Sequence, residues 1–413
     1  MLPILKLPIL VLNKVLTQLN VFELVSLSVC SSRCKSRCMQ FRSSIKMKKQ
    51  IEKFHVEFLS DSSKVDINFY PSLEQRLNFE LKKLDKHLDD LYMCIANGLY
   101  ISRNWSPNVK HIGHDMWWPF SATWLWKFRP IVYYSTDLAA STLTWVRFLS
   151  ELFSAQPTSL SLTFNCFNTE EIDRIMDCHC LVTSFEIDSD SNQEVDQKLA
   201  LSILERQNAT KELKISLKPT NETFQFDLNS LRNIPEFLEI GYSFWVKWEQ
   251  VLDLRSDANY LLRSNFSNFH FKDLIEKWKG GWTPKWNRIM IEANEILDID
   301  SWINDPVINL GPEDLGRIRS LIRQNQIMHA YKFQFKVRFP YGAIIKNGYH
   351  ITRQDKSIAT VTVENNKIGW FILQSAEPDD VFMVYSHLRT YQCNDPPGVP
   401  SVSYYPARET PLM

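Results

Sequence analysis

Residues 159–163 read Ser159-Leu160-Ser161-Leu162-Thr163, and how that stretch is read decides the fold. Period-two alternation puts both leucines on one face of a strand and the hydroxyl residues on the other. The device returns as Phe185/Ile187, Leu213/Ile215, Leu238/Ile240, a weaker strand marked by Leu262, and Ile289/Ile291, at offsets of 25, 28, 25, 24 and 27 residues. Between the strands the apolar spacing becomes helical. Val146, Leu149, Leu152 and Phe153 share a face within 143–153, and helices are expected over 170–176, 195–204 and 269–278. Strands alternating with helices predict a parallel sheet with helices packed on it.

A strand of two apolar residues recurring at this interval lies inside the leucine-rich-repeat period of about 20 to 29 residues. Units of that size cannot cover their own cores and are stable only when stacked. The expectation for residues 140–305 is an irregular, leucine-rich-repeat-like α/β solenoid, and the class for the whole chain is α+β to α/β. The outward strand positions include Ser159, Ser161, Ser184, Glu186, Lys214, Ser216, Phe237, Glu239, Met290 and Glu292. Such a mixed polar and apolar surface suits a protein partner better than a buried small molecule. Glu186, Lys214, Phe237, Glu239 and Met290 are its candidate contacts.

Toward the N-terminus, Val11, Leu12, Val15, Leu16 and Leu19 recur at three-and-four spacing after Leu7-Pro8, which predicts a first amphipathic helix. Asn20 with Glu23 reads as the start of a second helix carrying Leu24 and Leu27. Ser31 or Ser32 caps a third, basic one running through Arg33, Lys35, Arg37, Arg42, Lys46, Lys48 and Lys49. Three short helices bury their apolar faces incompletely. The remainder must dock on the rest of the chain, as a helical cap, or on a partner.

These residues resemble an F-box: Leu7-Pro8, Val15-Leu16, Leu19, Glu23-Leu24 and the Ser/Arg-rich third segment. The family has an acidic residue at the position of Leu10, a proline at Val21 and often a tryptophan near Cys34. The resemblance implies docking of Leu7, Pro8, Leu12, Val15, Leu16, Leu19 and Leu24 on the Skp-type linker of an SCF-type cullin-RING ubiquitin ligase. A second resemblance lies further on. Ser267 or Asn268 caps a helix with Phe271, Leu274, Ile275 and Trp278 on its apolar face, expected to end at Gly280 in the left-handed conformation. With the strand Asn287 to Glu292, this stretch resembles the type 2 F-box-associated domain, a family expanded in nematodes. Residues 347–363, with a turn around Asp355-Lys356, resemble its closing hairpin. Together the resemblances imply a non-catalytic adaptor holding a substrate protein.

The expected organisation is an F-box over 1–50, a connecting α/β region over 51–139, the repeat-like domain over 140–305, a helix and β-hairpin over 306–375, and a mobile tail over 376–413 with its Pro-rich turns. Trp117, Trp118, Trp124 and Trp126 read as core filling at the first turn of the solenoid.

Composition excludes several classes. In 413 residues, 47 Lys+Arg balance 47 Asp+Glu, which gives no global attraction to nucleic acid or to an anionic membrane. Only 11 glycines are present, leaving few sites for close phosphate approach. Gly311 and Gly316 have phosphate-loop spacing, but Arg317-Ile318 follow where Lys and Ser/Thr are needed. Asp188-x-Asp190-x-Asn192 lacks the Gly and Glu of a calcium loop. Cys178-His179-Cys180 has no second ligand pair at zinc spacing, and Gly113 and Trp117-Trp118-Pro119 argue against a helix that would set His111 and His114 on one face. No cofactor is expected. The apolar start, broken by Pro3, Lys6, Pro8 and Lys14, does not read as a signal peptide or anchor, and the eight cysteines read as reduced thiols. A cytoplasmic or nuclear protein is expected.

Overall fold

The computed structural model describes residues 6–19, 21–44, 51–69, 76–83, 93–96, 99–102, 131–178, 181–189, 196–219, 224–311, 314, 329–334, 337–338, 344–345 and 347–374. Helix α1 (Ile9–Leu16) starts directly after Pro8, whose missing N–H costs nothing where no helical acceptor precedes it. Helices α2 (Val21–Val29) and α3 (Ser32–Ser44) follow. The Ser31 hydroxyl accepts the Cys34 amide at 3.1 Å, the cap expected of that serine. Leu12, Leu16, Leu24, Val25, Cys38 and Phe41 are each at most 4% exposed, so the helices bury a small core of their own. Burial pushes the Cys38 thiol up to about 11, with Cys34 and Cys30 adding to the shift.

The chain divides into two compact units, residues 1–220 with 231–233, and residues 221–230 with 234–413. The division cuts through the span 140–305 expected to be one domain.

The first unit continues with strands β1 (Ile51–Phe58), β2 (Ser62–Phe69), β3 (Arg76–Lys83), β4 (Met93–Ala96), β5 (Leu99–Ser102) and β6 (Ile131–Ser135), then helix α4 (Leu138–Phe153). Strand β7 (Ser159–Thr163), α5 (Thr169–Cys178), β8 (Val182–Asp188), α6 (Gln197–Arg206) and β9 (Ala209–Ser216) complete it. Its sheet runs β4-β5-β6-β3-β2-β1-β7-β8-β9. The pairs read from the sequence fall on shared rungs: Leu160 beside Phe185 beside Leu213, and Leu162 beside Ile187 beside Ile215, all parallel. The sequence reading did not extend the sheet into 51–83. There Phe54, Val56 and Phe58 of β1, Val65 and Ile67 of β2, and Phe79 and Leu81 of β3 are all 0% exposed. Strand β1 lies parallel to β7, so the "connecting" region supplies part of the same sheet. Helix α4 packs on these strands. Asp137 accepts the Ala140 amide at 2.9 Å to start it, and Trp145 stacks on Phe79 at 5.2 Å.

The second unit holds β10 (Phe237–Ile240), α7 (Trp248–Asp253), β11 (Ala258–Leu261), α8 (Asn268–Lys279), β12 (Arg288–Glu292), β13 (Val307–Leu310), β14 (Ala330–Phe333), β15 (Val337–Arg338), β16 (Ile344–Ile345), β17 (Gly348–Thr352), β18 (Ile358–Glu364) and β19 (Ile368–Leu373). Its main sheet runs β10-β11-β12-β19-β18-β17-β14-β13, and β15 pairs with β16. The first three strands are parallel. Antiparallel β19 closes onto β12. The hairpin expected over 347–363 is β17–β18, with Lys356 at φ 67° in its turn.

Two details correct the sequence reading. The weak strand's rung is Asn259/Leu261, so its first residue lies three before the Leu262 that marks it in the sequence. Asn259 occupies the inward slot at 0% exposure, its amide donating to the Ser256 carbonyl at 2.9 Å, and this polar residue broke the apolar pattern. Helix α8 ends at Gly280 with φ −71°, and the left-handed position is Gly281 at φ 102°. Gly369 is required for packing instead: a Cβ there would stand 2.2 Å from the Phe271 ring of α8. Trp278 and Trp286, at most 1% exposed, fill the space around Phe371.

The Trp117–Trp126 cluster, His111/His114, His179-Cys180 and the tail lie outside the described residues. Among the described residues no helix is long and apolar enough to cross a membrane.

Candidate functional site

Two surfaces of the first unit carry chemistry that its core does not consume. The first is on α1. Leu12 and Leu16, four apart, turn inward at 2% exposure. The other side of the same helix is also apolar and stays open: Ile9 is 51% exposed, Leu10 80% and Val11 46%. Leu7, Val15 and Leu19 are half-buried, and Pro8 is exposed at the helix start. Of the candidate docking residues, Leu12, Leu16 and Leu24 therefore serve the internal core, whereas Leu7, Pro8, Val15 and Leu19 keep part of their surface open. Ile9, Leu10 and Val11 were missed as surface because a run of consecutive apolar residues does not say which of them faces inward.

The second surface is the face of the sheet turned away from the apolar residues of β1–β3 and β7–β9. Its register sets charged and hydroxyl side chains in rows. One row runs Glu80, Lys64, Glu57, Ser161, Glu186, Lys214 across β3, β2, β1, β7, β8 and β9. The next runs Asn78, Asp66, His55, Ser159, Ser184, Glu212. Glu186 and Lys214, both candidate contacts, are direct neighbours here. Lys64 holds Glu57 at 3.0 Å, and Lys214 holds Glu212 at 3.3 Å. The Glu57 bond pushes the Lys64 ammonium up. His55 Nδ1 lies 2.9 Å from the Ser159 hydroxyl, and burial, with Lys53 adding, pushes its imidazole down, so it stays neutral near pH 7. Burial pushes the Glu186 carboxyl up; Asp188, Glu212 and Glu57 add to the shift and Lys214 opposes it. The strands β1 to β3 were legible, since Phe54/Val56/Phe58 and Leu77/Phe79/Leu81 alternate as cleanly as β7 does.

Residues 4–46 match the family model of the F-box domain. The N-terminal helices are an F-box domain. No curated protein and no solved structure matches the chain. The F-box is fastened to the remainder of its unit through α4. Lys35 of α3 forms an ion pair with Glu151 of α4 and lies 4.6 Å over the Phe148 ring. A groove of about 580 Å³ runs along α4 beside α3, lined by Met39, Leu143, Val146, Arg147 and Ser150 among others.

Phe237, Glu239 and Met290 belong to the second unit, where Phe237 and Glu239 are half-buried on β10. Met290 departs from its expected role, being 2% exposed. Tyr260 and Trp370 flank it on β11 and β19, two strand spacings apart, yet their rings approach to 5.4 Å. They close over the methionine, which supports the sheet and offers no surface. Among the described residues no cluster of three or more His, Cys, Asp or Glu side chains is arranged to hold a metal ion.

Proposed function

We propose that the chain is the substrate-recognition adaptor of an SCF-type cullin-RING ubiquitin ligase. In this reading the Skp-type linker holds the F-box. The α/β region, an irregular repeat solenoid of the type 2 F-box-associated kind, holds a substrate protein. The observation that carries the reading is the open apolar patch on α1. An F-box domain that leaves Ile9, Leu10 and Val11 in water, after satisfying its own core with Leu12 and Leu16, has surface for a partner. Catalysis would belong to other subunits, and this chain would act by raising the local concentration of substrate near the charged conjugating enzyme.

The test is capture of purified Skp-type linker by the full chain. Leu10→Asp with Val11→Asp removes the patch without touching the buried leucines, and the expected outcome is loss of capture with an unchanged unfolding midpoint. Leu16→Asp would be a poor choice, since it places a carboxylate in the helical core. Retained capture by the double variant overturns this docking mode. A scaffold without ligase docking is the second reading. It is favoured by Leu10 itself, which stands where the family has an acidic residue, and wild-type chain that fails to capture linker would establish it.

A further inference from the structure

At the centre of the first unit's polar face the register lays a row of short side chains between longer ones, and this row is the channel. Strand β7 contributes no charge to this face, only the short side chains of Ser159, Ser161 and Thr163. Longer side chains rise on either side, Glu57 from β1 and Glu186 from β8, each in register with Ser161. Two strand spacings of about 4.8 Å separate their backbones by about 10 Å. That gap lets one ammonium or guanidinium group reach both carboxylates at charge-assisted distances of about 2.8 Å.

Charge and hydrogen-bonding capacity on the face point the same way. The lysines nearest the channel, Lys64 and Lys214, sit on the outer flanks, each within ion-pairing distance of a carboxylate, Glu57 and Glu212. Lys53 stands one alternate position before His55, at the far end of β1. Glu186 makes no ion pair among the described residues. Asn68 and Asn78, on the same face of β2 and β3, each hold a shielded carbonyl oxygen with no donor among the described residues. The unmet groups are acceptors, so a complementary occupant is cationic and rich in donors.

We propose that the channel between Glu57 and Glu186, floored by Ser161, receives a lysine or arginine side chain of the captured protein. This rests on the adaptor reading for its partner and gives that partner a chemical class, a segment presenting basic residues in extended form. Metal occupancy is a poorer fit, since no three-ligand cluster exists among the described residues.

The test titrates full-length chain with labelled Gly/Ser peptides carrying an Arg-Arg pair, a Glu-Glu pair or neither, followed by fluorescence anisotropy and by NMR up to millimolar concentration. The expected result is binding of the Arg-Arg peptide alone, weakened several-fold by raising salt through the screening range. Glu186→Gln and Glu57→Gln should each weaken it about tenfold, equivalent to about 1.4 kcal/mol, whereas Lys214→Gln leaves it as tight or tighter. Equal binding of the Glu-Glu peptide, absence of Arg-Arg binding at millimolar concentration, or indifference to Glu186→Gln overturns the inference. Linker capture by the same preparation separates the two claims. Capture without peptide binding sinks the channel and leaves the adaptor, and peptide binding without capture does the reverse.

Discussion

Strands β7–β9 and β10–β12 are built by the same device, short parallel strands with apolar residues on shared rungs, yet their opposite faces have different fates. In the first unit that face carries serines, glutamates and lysines, with the Lys214 and Glu212 side chains each 30% exposed. In the second unit, Phe237 meets Tyr260 at 4.7 Å, Tyr260 meets Trp370 at 5.4 Å, and Met290 is sealed beneath. Identical backbone pairing can therefore present a wet, charged surface or a closed aromatic one. The choice lies wholly in the alternate residues that the apolar pattern leaves unconstrained. Rungs hold the sheet together in both units, and of the two opposite faces the first unit's is the open one.

The sharpest way to break this contrast is to exchange character between the faces. Met290→Lys buries an unpaired ammonium and should cost roughly 3–5 kcal/mol, by analogy with the breaking of buried ion pairs. Lys214→Met, on the open face, should stay within about 0.5 kcal/mol. Urea unfolding of both variants measures the difference, and equal costs would mean that the two faces are not distinct. Next in size is Gly369→Ala. The added methyl collides with Phe271, so a loss of about 1–3 kcal/mol is expected from overpacking, against a near-neutral Ser161→Ala on the channel floor.

Titration sharpens the comparison further. His350 is fully buried on β17, its Nδ1 2.8 Å from the Thr360 hydroxyl, and burial pushes its imidazole down from 6.5 to about 3. The folded state resists a proton that the unfolded chain accepts. Stability contributed by neutral His350 is thus present above about 6.5 and is lost as pH falls toward about 3. Thermal scans across that range should show the loss, and His350→Gln should flatten it.

The smallest effect is expected from Glu186→Gln. Its carboxyl is raised from the ordinary 4.5, so protonation favours the folded state. That favourable contribution is complete below 4.5 and disappears as pH rises through the folded value. At neutral pH the glutamine variant should therefore unfold at a slightly higher temperature than wild type, an advantage that vanishes in acid. A midpoint lowered at neutral pH would mean that Glu186 stabilises the sheet and is not held in reserve for a partner.

Much of this was legible in the chain. Period-two pairs such as Leu160/Leu162 and Phe185/Ile187 located the rungs because inward positions tolerate little but apolar side chains. The Ser31 cap followed from local hydrogen-bonding chemistry. Legibility failed where tertiary context decides. Asn259 fills an apolar slot by bonding Ser256, so its strand was placed three residues late. Nothing local says that β1 lies beside β7, since a parallel partner a hundred residues away leaves no trace in either strand. Met290 looked like surface because it alternates with Ile289 and Ile291, and only its neighbours Tyr260 and Trp370 decide that it is covered.

The tie between Lys35 and Glu151 has a geometric corollary. With α3 seated on α4, and α4 on the sheet that carries the channel, the α1 patch and the channel belong to one frame, the first compact unit. Under the adaptor reading such a frame works as a ruler: cargo gripped at β7 stands at a set span from the ligase, and only acceptor lysines at the matching reach would be modified.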